Sequence, residues 1–148
     1  MITYLDSSAI VKRYVLEEGT LEVQEAYRRA LNGEALLAFS AWNVGEVLGV
    51  LDKYRRRGWL KEGDYRKARG LFVLETKRLI RLNVLRIVPV RTRLLVRSWR
   101  LVEERHVYQA DALQVESAKH VRADVFMSGD ERLVEIAKEE GLNAIFLG

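Results

Sequence analysis

The chain has 148 residues, with 25 Lys and Arg residues against 21 Asp and Glu residues, for a formal net charge of +4. It contains no cysteine and two histidines, which excludes disulfides, thiolate zinc sites and cysteine nucleophiles and leaves oxygen atoms as the main metal ligands. No run approaches the roughly 18 apolar residues of a membrane span, and the first residues carry no signal-peptide pattern, so we expect a cytoplasmic protein.

Five short apolar segments without clusters of charge are typical of strands that are covered on both faces. They comprise residues 2–5, 36–39, 85–88, 125–127 and 144–147. Helical patterns lie between them at residues 7–15, 21–31, 41–56, 63–81, 92–104, 110–120 and 131–140, with Ser40 as a candidate N-cap. This alternation predicts an α/β fold with a mostly parallel sheet of about five strands. Since no repeat or Pro/Gly-rich linker divides the sequence, we interpret residues 1–148 as a single domain.

Positive charge is concentrated in the middle of the chain. Residues 53–105 contain 17 basic and 5 acidic residues, whereas the remainder contains 8 basic and 16 acidic residues. One interpretation is a surface for a polyanion such as nucleic acid. The alternative is a set of solvated basic helix faces.

Four acidic residues stand in apolar or uncharged surroundings: Asp6, Glu46, Asp111 and Asp130. An ionised carboxylate removed from water is costly unless it is paired or bound to a metal. Asp6 and Asp130 follow predicted strands, and the other two lie in helices that can approach the same edge of the sheet. Because ligands of such sheets bind beyond the carboxyl ends of the strands, we expect the four side chains to converge there. One or two Mg²⁺ or Mn²⁺ ions would relieve their repulsion.

Each carboxylate also has a purely structural interpretation. Asp6 and Asp130 can cap the helices that follow them, and Asp111 suits the first turn of its helix because of the helix dipole. Glu46 lies in mid-helix among apolar residues and needs a partner, which an arginine from the basic middle can provide. We expect any one of these structural interpretations to hold more readily than all four together.

The segments around these residues resemble the acidic motifs of the PIN-domain family, especially the small toxin ribonucleases of the VapC type. Residues 4–12 (YLDSSAIVK) resemble the first motif and residues 40–48 (SAWNVGEVL) the second. Residues 108–113 (YQADAL) resemble the third and residues 128–133 (SGDERL) the fourth. The resemblance extends essentially from end to end, and the order and spacing of the motifs make it specific.

The resemblance implies a three-layer α/β/α sandwich and divalent-metal-dependent cleavage of RNA. It also implies a homodimer and, in toxin members, an antitoxin protein as partner. Asp6, Glu46, Asp111 and Asp130 would hold Mg²⁺ or Mn²⁺ and act in catalysis, while Ser7 and Ser128 would orient the metal ligands or water. The basic middle offers candidate contacts to the RNA backbone, namely Lys53, Arg55, Arg56 and Arg57.

Rival interpretations remain for the same sequence. A catalytically inactive PIN-like module that binds RNA or regulates a partner would keep the fold without the chemistry, although four intact carboxylates disfavour it. A receiver domain would need an acidic pair and a late lysine, and a haloacid-dehalogenase-like phosphatase would need Asp at position 8, where this chain has Ser8. The sequence also has no Gly-x-x-x-x-Gly-Lys loop for nucleotide phosphates.

Overall fold

A five-stranded, all-parallel sheet forms the centre of the computed structural model, which describes residues 1–148. The strands are β1 (Ile2–Leu5), β2 (Leu36–Ser40), β3 (Leu85–Val88), β4 (Val125–Ser128) and β5 (Ala144–Phe146). Their spatial order is β3-β2-β1-β4-β5, so the chain winds in one direction from β1 to β3 and in the other from β4 to β5. In parallel sheets, a binding crevice opens at the carboxyl ends of the strands where this direction changes, here between β1 and β4.

Seven helices connect the strands. They are α1 (Ser7–Tyr14), α2 (Thr20–Leu31), α3 (Ala41–Arg56), α4 (Glu62–Arg81), α5 (Thr92–Arg105), α6 (Gln109–His120) and α7 (Glu131–Glu139). Every predicted strand and helix is present; most boundaries coincide with the prediction, and the others differ by one residue. None of the helices has the length and apolar character needed to cross a membrane.

Two separate hydrophobic cores cover the two faces of the sheet, as the alternation of side chains along β1 requires. Leu5 packs in one core with Phe39 and Phe72, on the side of the first four helices. Its neighbour Tyr4 packs in the other core and stacks on Phe126, with ring centroids 5.6 Å apart. Helices on both faces of the sheet confirm the predicted three-layer α/β/α sandwich.

The start of α3 is set by the side chains of its first residues. Ser40 is the N-cap, as the sequence predicts, and its hydroxyl accepts a 3.1 Å hydrogen bond from the Trp42 backbone N–H. The Asn43 side chain in turn accepts a 2.7 Å bond from the Ser40 backbone N–H. This reciprocal cap fixes where the helix leaves β2 and therefore where its second turn, with Glu46, is placed.

Candidate active site

All four predicted carboxylates line one pocket of about 510 Å³ at the carboxyl ends of β1 and β4. Asp6 directly follows β1, and Asp130 directly precedes α7. Glu46 lies in the second turn of α3 and Asp111 in the first turn of α6. The convergence expected from the sequence is therefore present, although the four residues come from four separate parts of the chain.

Asp6 is the most buried of the four, with 5% of its surface exposed. Its carboxylate accepts hydrogen bonds from Ser8 Oγ at 2.6 Å, Ser128 Oγ at 2.5 Å and the Ala9 backbone N–H at 2.9 Å. Burial raises the pKa of Asp6, and the bonds from Ser128 and Ser8 offset only part of that rise. The bond to Ala9 caps α1, so the capping interpretation holds alongside the placement in the pocket.

Glu46 is oriented by neutral donors. Ser7 Oγ donates to its Oε1 at 2.6 Å, and Asn43 Nδ2 donates to the same oxygen at 3.3 Å. Asn43 Nδ2 also donates to Ser7 Oγ at 2.8 Å, which completes a triangle of polar groups. The basic partner considered from the sequence is absent, because every ion pair of the chain involves other acidic groups. No ion pair therefore neutralises the Glu46 carboxylate in the pocket.

Asp111 and Asp130 complete the wall of the pocket. Burial and, to a smaller extent, the charges of Asp130, Asp6 and Glu46 together raise the pKa of Asp111 to about 6. Asp130 is exposed and caps α7, since its Oδ1 accepts a 3.2 Å hydrogen bond from the Leu133 backbone N–H. The structural interpretations of Asp130 and Asp111 are thus also fulfilled, but they do not remove the mutual repulsion of the four carboxylates.

The donor set of the pocket fits a hard divalent cation. The four acidic groups supply only oxygen atoms, which Mg²⁺ and Mn²⁺ prefer, and neither histidine lines the pocket. No three acidic or imidazole side chains are close enough, as positioned, to ligate a single ion. Such separation is expected of carboxylates that repel one another, and a cation between them would reverse that repulsion.

The structure adds residues that sequence reasoning did not assign to the site. Ser8 donates a hydrogen bond to Asp6, and the Asn43 amide donates hydrogen bonds to both Ser7 and Glu46. Gln114 lines the pocket one helical turn after Asp111 and accepts a 2.7 Å hydrogen bond from the buried Tyr4 hydroxyl. Helical spacing alone connects Asn43 to Glu46 and Gln114 to Asp111, and this spacing is the signal that could have identified them.

Lys12 is a further member of the pocket wall, and it is almost fully buried. Its ammonium group donates a 3.1 Å hydrogen bond to the Gly148 carbonyl and lies 3.5 Å from Glu17. Lys12 follows Ser8 by one helical turn and therefore faces the same side of α1. Glu17 also lines the pocket, so the Lys12–Glu17 pair adds no net charge to it.

The basic residues predicted to contact RNA differ in their surroundings. Lys53 lines the pocket beside the carboxylates and has no acidic partner. Arg55 and Arg56 both pair with Asp52, the latter at 2.9 Å. Arg57 lies over the ring of Trp59, with its guanidinium carbon 5.2 Å from the ring centroid. Lys53 is therefore the only one of these four residues in the pocket.

The sequence matches the family model described as PIN domain over residues 3–139. The fold is similar to that of PAE2754 from Pyrobaculum aerophilum, with a TM-score of 0.66 and 18% identity, covering 99% of this chain and 90% of that chain. It is also similar to VapC20 of Mycobacterium tuberculosis, described as a Sarcin-Ricin loop cleaving toxin, with a TM-score of 0.62 and 14% identity, covering 95% of each chain.

A third similar structure is VapBC2 from Rickettsia felis, solved bound to a DNA fragment from their promoter, with a TM-score of 0.61 and 15% identity over 100% of each chain. No curated protein matches the sequence. At these identities the similar structures show a shared fold, whereas the family match spans most of the sequence. The chain therefore belongs to the PIN-domain family.

Proposed function

We propose that this protein is a divalent-metal-dependent endoribonuclease that hydrolyses RNA phosphodiester bonds and acts as the toxin of a toxin–antitoxin pair. The observation that carries the proposal is the convergence of Asp6, Glu46, Asp111 and Asp130 on one pocket. Carboxylates from four elements, three of them at least partly buried, are difficult to explain by folding stability, because each one adds to the repulsion of the others.

In this proposal the four carboxylates hold one or two Mg²⁺ or Mn²⁺ ions. A divalent ion bound there would polarise the scissile phosphate and make a water molecule more acidic. Asp6 keeps its orientation through Ser8 and Ser128, and Glu46 keeps its orientation through Ser7 and Asn43. Holding the ligand oxygens in place in this way is what outer hydrogen bonds contribute to a metal site.

Positive side chains at the pocket would bind the RNA. Lys53 is exposed and has no acidic partner, so it can contact a phosphate next to the scissile bond, whereas the ammonium group of Lys12 is paired with Glu17, which also lines the pocket. No histidine lines the pocket, so proton transfer in the proposed reaction would rely on water and the carboxylates.

The proposed partners are an antitoxin protein and a second copy of this chain, with which it would form a homodimer. The proposed location is the cytoplasm. Similar structures include the VapBC2 assembly from Rickettsia felis and FitAcB from Neisseria gonorrhoeae, the latter with a TM-score of 0.57 and 17% identity. Apolar side chains also remain exposed on α4, where Leu71 is 49% and Leu74 is 67% exposed. Exposed apolar groups of this kind favour a protein partner.

Exchange of Asp6 or Asp111 for asparagine tests the proposal. Each change removes one charged ligand at nearly constant size, and asparagine at position 6 can still cap α1. We expect the rate of RNA cleavage in Mn²⁺ to fall at least about 100-fold in either variant. Cleavage by the unaltered protein should stop when EDTA removes the metal. Asp64→Asn is the matched control, since Asp64 is exposed and does not line the pocket.

Full cleavage by both pocket variants would defeat the proposal. Binding of RNA without any metal-stimulated cleavage would instead favour a catalytically inactive PIN-like module that binds RNA or regulates a partner.

A further inference from the structure

Two adjoining pockets between β3, the start of α5 and the end of α6 are lined by basic side chains. One, of about 300 Å³, is lined by Pro89, Arg91, Arg93, Leu94, Arg97 and His120. The other, of about 530 Å³, shares Pro89 and His120 and adds Arg86 and Arg122. We call the five arginines and His120 the arginine surface. None of these residues lines the carboxylate pocket, so the arginine surface is a separate region of the molecule.

The arginine surface lacks acidic partners. No carboxylate lines either of its two pockets, and all five arginines are exposed. None of them takes part in an ion pair, whereas eight other arginines of the chain do. A protein with 21 acidic residues therefore leaves five guanidinium groups uncompensated in one place. Such a concentration of like charge is unfavourable by itself and attracts a polyanion.

The backbone adds to the positive potential of this surface. Helix α5 begins with Arg91 as its N-cap, has no side-chain cap and has no acidic residue in its first turn. The N-terminus of a helix carries a partial positive charge and free N–H donors, which serine or aspartate normally satisfies. Here three arginines surround that end instead, an arrangement that a bound anion would stabilise.

We propose that the arginine surface binds RNA phosphates and so holds the substrate at a second point outside the carboxylate pocket. This inference rests on the proposed ribonuclease function. Guanidinium groups match phosphate oxygens with paired, planar hydrogen bonds, and the backbone of RNA supplies phosphates at regular intervals. The 300 Å³ pocket, which holds three of the five arginines, has only Pro89 and Leu94 as apolar lining, whereas a protein partner would need an apolar centre for its interface.

The test measures RNA binding in EDTA, where metal-dependent cleavage does not interfere. A fluorescent single-stranded RNA of about 30 nucleotides is titrated with the full chain at several salt concentrations, and the anisotropy is followed. The test variant carries Arg91→Gln, Arg93→Gln and Arg97→Gln. The control variant carries Lys67→Gln, Arg69→Gln and Lys77→Gln, which removes the same charge from exposed, unpaired positions on α4.

We expect the test variant to bind RNA at least about tenfold more weakly. The slope of the logarithm of the binding constant against the logarithm of the salt concentration should become about 2 less steep, because each lost phosphate contact of a single strand removes about 0.7 from it. The control variant should change the affinity less than about threefold. A second variant, Arg86→Gln with Arg122→Asn, lies outside α5 and should weaken binding in the same way, so a folding defect in the first variant would not hide the result.

Unchanged RNA affinity in both arginine variants would overturn the inference, as would an equal loss in the control variant. Binding of poly-glutamate that is lost in the arginine variants, while the same variants keep their RNA affinity, would assign the surface to an acidic protein segment and also overturn the inference. Failure of the ribonuclease proposal looks different. In that case Asp111→Asn would leave cleavage unchanged, while the binding measured in EDTA would still depend on the arginines.

Discussion

The hydroxyl of Ser7 donates a 2.6 Å hydrogen bond to Oε1 of Glu46 and joins the first residue of α1 to the second turn of α3. The Asn43 amide supports the same contact by donating to both side chains. Because these donors are neutral, they orient the carboxylate without cancelling its charge. A buried ion pair in the same place would have removed that charge from the pocket.

Exchange of Ser7 for alanine is expected to raise the Mn²⁺ concentration that gives half-maximal RNA cleavage by about tenfold, with near-normal cleavage at saturating metal. Loss of an outer hydrogen bond loosens a metal ligand without removing it. The measurement is a metal titration of the cleavage rate. Ser98→Ala is the control, because Ser98 is likewise hydrogen-bonded and is buried, but lies outside the pocket. An unchanged metal requirement in Ser7→Ala would contradict this role.

Exchange of Asp111 for asparagine is expected to raise the Tm in EDTA by about 2–5 °C, because it removes one of four repelling charges from the pocket. The same change should abolish most of the increase in Tm that Mn²⁺ gives to the unaltered protein, since a bound ligand stabilises only the form that binds it. Thermal unfolding with EDTA and with Mn²⁺ measures both effects. A lower Tm in EDTA, or an undiminished response to Mn²⁺, would count against the shared charge cluster.

Lys53 and Arg56 should contribute differently to RNA binding, although both lie in the basic segment. Lys53→Gln removes an unpaired charge from the pocket and is expected to weaken RNA binding about threefold to tenfold. Arg56→Gln removes a charge that already pairs with Asp52 and should change the affinity less than about twofold. Titration of labelled RNA in EDTA compares them directly. Equal losses would mean that net charge, not position, determines binding.

Glu140 is expected to make folding stability depend on pH. Its side chain is 6% exposed and pairs with Arg100, with Lys119 at 2.7 Å and with Arg105 at 3.0 Å. Burial alone would raise the pKa of Glu140, but hydrogen bonds from Arg100, Lys119 and Arg105 outweigh burial and lower it to about 2. The stabilisation is therefore complete above the ordinary pKa of glutamate, near 4.5, and is lost as the pH falls from there towards 2.

Glu140→Gln should accordingly lower the free energy of unfolding by about 2 kcal/mol at pH 7, and the difference from the unaltered protein should shrink as the pH falls from about 4.5 to 3. Urea unfolding at several pH values gives these numbers. Glu104→Gln, which removes a 60% exposed partner of Arg100, should cost less than about 0.5 kcal/mol. A difference between Glu140→Gln and the unaltered protein that does not vary with pH would refute the assigned role of the pairing.

Prediction of the strands and helices from the sequence succeeded because both faces of this sheet are covered. Doubly covered parallel strands are short apolar runs, and amphipathic helices between them repeat every three to four residues. The segment of residues 85–88 was predicted even though Arg86 interrupts its apolar character, and it forms the edge strand β3. Edge position explains how a charged side chain is tolerated there.

The four carboxylates could be found in the sequence because charge stands out in apolar surroundings. The residues that support them could not be found in the same way. Ser7 and Ser128 were predicted only from the resemblance to the PIN-domain motifs, and Ser8 and Asn43 were not predicted, because serine and asparagine are not unusual at these places in the sequence. Only the pairing of β1 with β4 brings the Ser128 hydroxyl 2.5 Å from Asp6.

The sequence by itself determined the order of strands and helices and the identity of the four acidic residues, since hydrophobic periodicity and isolated charges are local properties of the chain. The tertiary structure decided which polar neighbours hold each carboxylate and which basic residues stay unpaired. Arg13 pairs with Glu75, 62 residues further along the chain, whereas no carboxylate lines the pocket around Arg91, and nothing local in the sequence distinguishes these two arginines. Charge compensation depends on distances of a few ångströms between side chains, and only folding sets those distances.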